Sequence, residues 1–299
     1  MTAMLHCLVS DVADAVRAAL PSGRVAANDE GNAGLIGTLT LSGLLDEPGL
    51  MALLLRRADE ERISTAARVR SGRREARVLQ GLVSHDYGAV AAAAMALILG
   101  RGRRRDRFGQ CLIAFDDLPP SSADTLAQSV AAALRTELAA SRGFSAADAE
   151  LAEAVDRVLG QRDEERGIDS LTAALVLFLD EAGSLTDELI LAAANEGEIA
   201  FVAEVLARRA GIPTESALDE LLSGEAKYVM ALLRSAGMSR DLGAGLLAGI
   251  GDLLGIEDVG DAIARFDRLT DEEAEKERSW LTTDVAYRAA LERLGQGRG

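Results

Sequence analysis

The densest charge in the chain lies in seven residues, Arg101-Gly-Arg-Arg-Arg-Asp-Arg107. Five guanidiniums, on Arg101, Arg103, Arg104, Arg105 and Arg107, give this segment the chemistry of a binding site. Each can make planar two-point contacts to a carboxylate or a phosphate. The candidate partner is an acidic protein. Competing structural roles are helix C-terminal charge that offsets the dipole, because the segment follows an apolar stretch, and internal ion pairing with an acidic turn such as Asp116-Asp117. Nucleic acid fits poorly, since the chain carries a net charge of −16 and only 3% aromatic residues for stacking on bases. Arg103, Arg104 and Arg105 are the expected contacts. They are consecutive and read as a loop, so at least one must face solvent.

Other reactive types are scarce. There are two histidines, His6 and His85, and two cysteines, Cys7 and Cys111. Asp86 follows His85, but neighbouring residues on a helix do not face each other and no nucleophile stands out. The cysteines show no metal-ligand spacing and read as small apolar residues in a reducing compartment. No His-Glu-x-x-His or Cys/His cluster is present. Gly243-Ala-Gly245 and Gly249-Ile-Gly251 lack the lysine and the preceding strand of a phosphate loop, and acid pairs such as Glu272-Glu273 read as helix starts. No catalytic, cofactor-binding or metal-binding residue is assigned, and no cofactor is expected.

The elements that position the arginines must be helices. Ala and Leu together supply 99 of the 299 residues, both strong helix formers, while proline appears five times. Between Arg56 and Arg107 stand 13 Arg and 6 acids, so this stretch is +7 and the remainder −23. One basic patch on an acidic body is the expected surface. Only Lys227 and Lys276 are lysines among 32 basic residues. The N-terminus lacks a basic signal-peptide region. The most apolar uncharged run, 87–100, is short of the roughly 20 residues that span a bilayer. The expectation is a soluble cytoplasmic protein.

Apolar spacing predicts helices over about 3–20, 35–45, 49–71, 74–84 and 87–100, with a mobile connection over 21–34. The helix near 88–99 is apolar all round and is expected to be buried on nearly every side. Ser121, Ser145, Ser184 and Thr270, each three residues before an acid, read as N-caps. Gly143, Gly160, Gly183, Gly211, Gly237 and Gly255 read as helix ends, and Pro213 as a first-turn residue. A terminal helix over 271–294 would turn Trp280, Val285, Ala286 and Ala289 inward. The rhythm of helix pairs predicts an all-α, HEAT-like α-solenoid of degenerate repeats, with an irregular multi-helix bundle as the alternative. The linear division is 1–34, 35–256 and 257–299, the last part capping the array.

Several ordered motifs carry a family resemblance. Asp106-Arg-Phe-Gly109, Asp116-Asp-Leu-Pro119 and Val130-Ala-Ala-Ala-Leu-Arg135 are followed by Gly197, Phe201, Leu206-Ala-Arg-Arg-Ala-Gly-Ile212 and Leu232-Leu-Arg-Ser-Ala-Gly237. Over about 35–255 the chain resembles the bacterial domain of unknown function twenty-three thirty-six. The resemblance implies an all-helical, HEAT-like protein of unsettled function and assigns no catalytic residues. Its shared Phe, Gly and Asp-Leu-Pro positions suggest a packed ring, a turn and a helix start. The functional expectation is a non-enzymatic scaffold or adaptor that binds another protein, with homo-oligomers also allowed. The alternative is a concave groove for a small molecule or nucleic acid, with or without enzymatic activity.

Overall fold

A computed structural model of the chain describes residues 1–21, 29–72 and 77–297. Among them the protein is all-α. The helices are α1 (Thr2–Ala19), α2 (Asp29–Leu41), α3 (Pro48–Ser71), α4 (Arg77–Leu82), α5 (Gly88–Arg103), α6 (Pro120–Arg142), α7 (Phe144–Gln161), α8 (Ile168–Glu181), α9 (Asp187–Asn195), α10 (Ile199–Ala210), α11 (Thr214–Leu222), α12 (Ala226–Ser235), α13 (Arg240–Ile250), α14 (Val259–Arg268), α15 (Asp271–Leu281) and α16 (Val285–Arg293). Two short 3-10 turns lie at Phe115–Asp117 and Glu164–Arg166. Among the described residues, no helix is long and apolar enough to cross a membrane.

Packing divides the chain into two units, each discontinuous in sequence. The first comprises Met1–Ala58 and Leu99–Leu171, the second Asp59–Ile98 and Thr172–Gly299. In the first, α6 and α7 form an antiparallel hairpin with α1 laid against both, and α2 packs on α1 and α6. Leu8, Val12 and Val16 of α1 enter a core shared with Leu126, Val130 and Val155. The i, i+4, i+8 spacing of the α1 residues places all three on one face. In the second unit α9 to α12 stack as neighbours, α12 also meets α14 and α15, and α13 packs on α9 and α14. Phe201 is fully buried there.

Several local expectations change. Residues 29–34 are already helical, since α2 starts at Asp29; the rest of the expected connection, residues 22–28, lies outside the described residues, as do residues 73–76 before α4. Thr270 caps α15 and forms a reciprocal capping box with Glu273. Ser121 and Ser145 are not caps: Pro119 precedes α6, and Gly143 at φ +82° both ends α6 and opens α7. Proline tolerates the first helical position because that N–H has no partner anyway, so Pro120 starts α6 before Ser121 is reached. Thr186 rather than Ser184 caps α9. Gly160 stays inside α7, whereas Gly211 takes the left-handed conformation that ends α10. The terminal helix is broken between Leu281 and Val285.

Helix α5 is not buried all round. Val90, Ala94 and Leu97 are fully covered, but Met95 and Leu99 keep 42% and 52% of their surface. Apolarity on every side marks a helix that loses nothing by burial; it does not supply the neighbours to cover every side.

Candidate interaction site

The basic cluster begins in the last turn of α5 and continues into a tight turn. Arg101 and Arg103 lie in that last helical turn. Arg104, the next residue, turns inward. Its Nε donates to Asp117 Oδ2 at 2.6 Å and its Nη2 to Asp117 Oδ1 at 2.8 Å. Nη1 donates to the Gly100 carbonyl at 3.0 Å, and Nη2 also to the Arg166 carbonyl at 2.9 Å. Asp117 accepts two further bonds, from Ala114 N–H and Ile168 N–H, both at 2.9 Å. The side chains of Arg104 and Asp117 keep 9% and 1% of their surface. The ion pair therefore fastens the end of α5, the 3-10 turn at Phe115–Asp117 and the start of α8. A buried charge pair persists only with this degree of hydrogen-bond satisfaction.

Beyond Arg104 the chain makes a short hairpin closed by a single bridge between Arg105 and Cys111. Asp106 organises its tip. Its Oδ1 accepts from Phe108 N–H and Gln110 N–H, both at 2.8 Å, and its carbonyl accepts from Gly109 N–H at 3.0 Å. A short acidic side chain that bonds the backbone two residues on is the standard device of an Asx turn. Gly109, at φ +79°, supplies the left-handed residue the turn requires. Arg105 spends one donor on the Gly109 carbonyl at 2.7 Å.

This geometry separates the five candidate arginines. Arg104 is a buried anchor, so it is not available as a surface contact. Arg103 and Arg107 are exposed. The Arg107 guanidinium lies 4.7 Å from the centre of the Phe108 ring. That ring is 72% exposed. The packed ring implied by the resemblance therefore holds for Phe201 and not for Phe108. The Asp116-Asp-Leu-Pro119 motif is a helix start, as implied, and its second acid is also the partner of Arg104.

Most of the other arginines in the basic stretch are spent internally. Arg56 and Arg57 both donate to Asp169, Arg57 at 2.8 Å. Burial pushes the Asp169 carboxyl up, but the Arg57 and Arg56 guanidiniums outweigh it and hold the group below the usual carboxylate range. In the second unit Arg62 donates to Asp59 at 3.1 Å and to the Leu253 carbonyl at 3.2 Å, and Arg70 meets Asp252 at 2.9 Å and the Gly249 carbonyl. The positive excess along the sequence is thus partly cancelled by acids outside it.

His85 Nε2 lies 3.0 Å from Ser184 Oγ, and Tyr87 N–H donates to Nδ1 at 3.0 Å. With Nδ1 accepting, the neutral ring carries its proton on Nε2 and donates it to the serine. His85 cannot then serve as the base that activates Ser184. Among the described residues neither Cys7 nor Cys111 forms a disulfide. Burial, then the Asp11 and Asp106 carboxylates, push the Cys7 thiol up, which suppresses its reactive thiolate. Among the described residues no group of three or more His, Cys, Asp or Glu is placed to hold a metal ion.

Phe108 was not marked by the arginine cluster, whereas Asp117 is the acid that takes up the ion pairing expected of the Asp116-Asp117 turn. The signal for the first was Asp106 three residues before Gly109, which marks a turn and so exposes what lies between.

No curated protein and no solved structure matches the chain. Residues 39–279 match a bacterial family described as an uncharacterised protein conserved in bacteria, DUF2336. That span covers most of the chain, includes the anchored arginine, its aspartate and the hairpin, and so places this all-helical protein in that family.

Proposed function

We propose that the chain is a non-enzymatic, cytoplasmic protein-recognition module, with the hairpin at 105–111 and the last turn of α5 as its contact surface. The observation that carries this reading is an aromatic ring displayed on a turn that is itself tied down. Phe108 stands in solvent beneath the Arg107 guanidinium, while Asp106 and the Arg104–Asp117 pair hold the backbone under it. Aromatic and arginine side chains dominate the energetically important positions of protein interfaces, and a rigid base reduces the ordering cost of binding. Arg103 and Arg107 favour an acidic partner, which electrostatics would steer toward the one region of positive excess. The stacking of α9 to α12 in the second unit supports a degenerate helical-repeat architecture.

The test uses a variant that removes the display and spares the anchor: Arg103→Gln, Arg107→Gln and Phe108→Ser together. Immobilised wild-type and variant chains are compared for capture of acidic proteins from the native cytoplasm, beside their melting temperatures. The expected result is loss of capture with unchanged melting. Equal capture by both chains refutes the proposal.

A further inference from the structure

Helix α16 is seated in the second unit by a charge rather than by an apolar face. Val285, Ala289 and Leu291 are only half-buried, and Tyr287 keeps 58% of its surface. The described side chain of α16 that goes furthest in is Arg288, with 7% of its surface left. Its Nη2 donates to Ser216 Oγ on α11 at 2.7 Å. Ser216 is fully buried and donates its own proton to the Leu281 carbonyl at the end of α15, at 3.1 Å. The buried Nε of Arg288 has no acceptor among the described residues. Arg104, as deep in the first unit, instead meets both oxygens of Asp117 and two carbonyls. The latch of α16 is thus a guanidinium facing a neutral hydroxyl, with one donor left over.

Such a latch holds weakly. A buried ion needs an opposite charge and complete hydrogen bonding to offset its lost hydration. Arg288 regains that hydration when the helix lifts. Local opening is also easiest where few apolar side chains are covered. The start of α16 is set by its own residues, since Asp284 Oδ1 accepts from Tyr287 N–H at 2.9 Å. Only the seat of the helix depends on Arg288. We infer that α16 is a releasable strap, latched by the Arg288–Ser216 bond, and that its release from α11 uncovers Ser216 and returns the guanidinium to water. The device belongs to the second unit and does not rest on the recognition role proposed above.

The test is amide hydrogen exchange of the full chain, followed by mass spectrometry from seconds to hours. A nine-residue helix does not keep its hydrogen bonds alone, because isolated helices shorter than about 12–15 residues are marginal in water. Release therefore reads out as exchange over 285–293. In the parent these amides should exchange about tenfold faster or more than those of α10 and α12, as for an opening about 1.4 kcal/mol easier. Ser216→Ala removes the acceptor and should speed exchange in α16 further. Arg288→Met keeps an unbranched apolar stem and removes the charge. Ser216 retains its bond to the Leu281 carbonyl, so no donor is orphaned, and exchange in α16 should slow several-fold. A firm seat gives the opposite sign, because Arg288→Met would then delete a stabilising bond and speed exchange. That result overturns the inference, as does protection of α16 in the parent equal to that of α10 and α12. Complete exchange of α16 at the first time point in all three chains overturns it too, since no latch would then exist. Protection of α10 and α12 is read in the same spectra. If Ser216→Ala loosens them, Arg288→Met, on the strap itself, decides the sign.

Discussion

Removing the Asp117 carboxylate should unfold the first unit before anything else in its surroundings fails. Asp117→Ala strips the paired carboxylate from a guanidinium whose side chain keeps 9% of its surface. Breaking a buried pair by deleting one partner typically costs about 3–5 kcal/mol, because the remaining charge stays buried without compensation. Two backbone donors, Ala114 N–H and Ile168 N–H, lose their acceptor as well. Each adds a desolvation cost of about 1–3 kcal/mol unless water enters. Against a total stability of roughly 5–15 kcal/mol for a domain, the loss is large. The contrast is Arg103→Ala, one residue away but exposed, which should stay within about 0.5 kcal/mol of the parent. Urea titration followed by far-ultraviolet circular dichroism measures both. The single tryptophan, Trp280, belongs to the second unit. Its fluorescence therefore reports that unit separately from the helical signal of the whole chain. A cost below about 1 kcal/mol for Asp117→Ala, or equal costs for the two variants, would refute the anchor argument outright.

Two further outcomes test other parts of the fold. Gly197 adopts φ +74°, and a Cβ there would come 2.7 Å from the backbone Cα of Ser64; Gly197→Ala should lower the melting temperature sharply, by several degrees or more for a loss above about 1 kcal/mol, and an unchanged melt would contradict that close approach. Asp169 has a depressed carboxyl, so its contribution to stability is fully present above the ordinary value of about 4 and is lost as pH falls through the lower folded value. Asp169→Asn should therefore be less stable than the parent at pH 7 and lose less on acidification below about pH 4, as measured by melting temperature against pH; parallel curves would remove the linkage.

The helical class was legible because alanine and leucine at helical spacing leave few alternatives, and α1 carries its face on the positions its periodicity indicates. Caps were less legible. Ser-x-x-Asp is satisfied by chance in a chain rich in acids, and Pro120 and Gly143 override it by setting backbone angles directly. Burial of α5 was misread for a different reason: composition reports what a helix tolerates, and only tertiary packing decides which of its sides finds neighbours. The arginine cluster was located from charge density, yet its members split by role. Arg103 is the last residue of α5 and Arg104 the first of the turn beyond it, and that change of backbone decides between water and Asp117. Asp117 lies 13 residues from its partner, in the acidic turn the sequence offered for ion pairing, but which arginine would reach it was not legible. The partial cancellation of the basic stretch was also out of reach, since Asp169 and Asp252 are more than a hundred residues from the arginines they pair with.

The discontinuity of both units bears on how the chain is made. Translation releases residues in order, and domains generally fold as their last segment emerges. Residues Asp59–Ile98 leave the ribosome well before Thr172–Gly299, the rest of their unit. The first unit reaches completion at Leu171, when Ile168 N–H becomes available to Asp117. At that point Asp59–Ile98, which holds the apolar run that begins at Gly88, has been synthesised without Thr172–Gly299, the rest of its unit. A nascent chain paused just after Leu171 therefore carries every segment of one unit and only the first segment of the other, and that apolar run stays without the rest of its own unit until residues from Thr172 onward emerge.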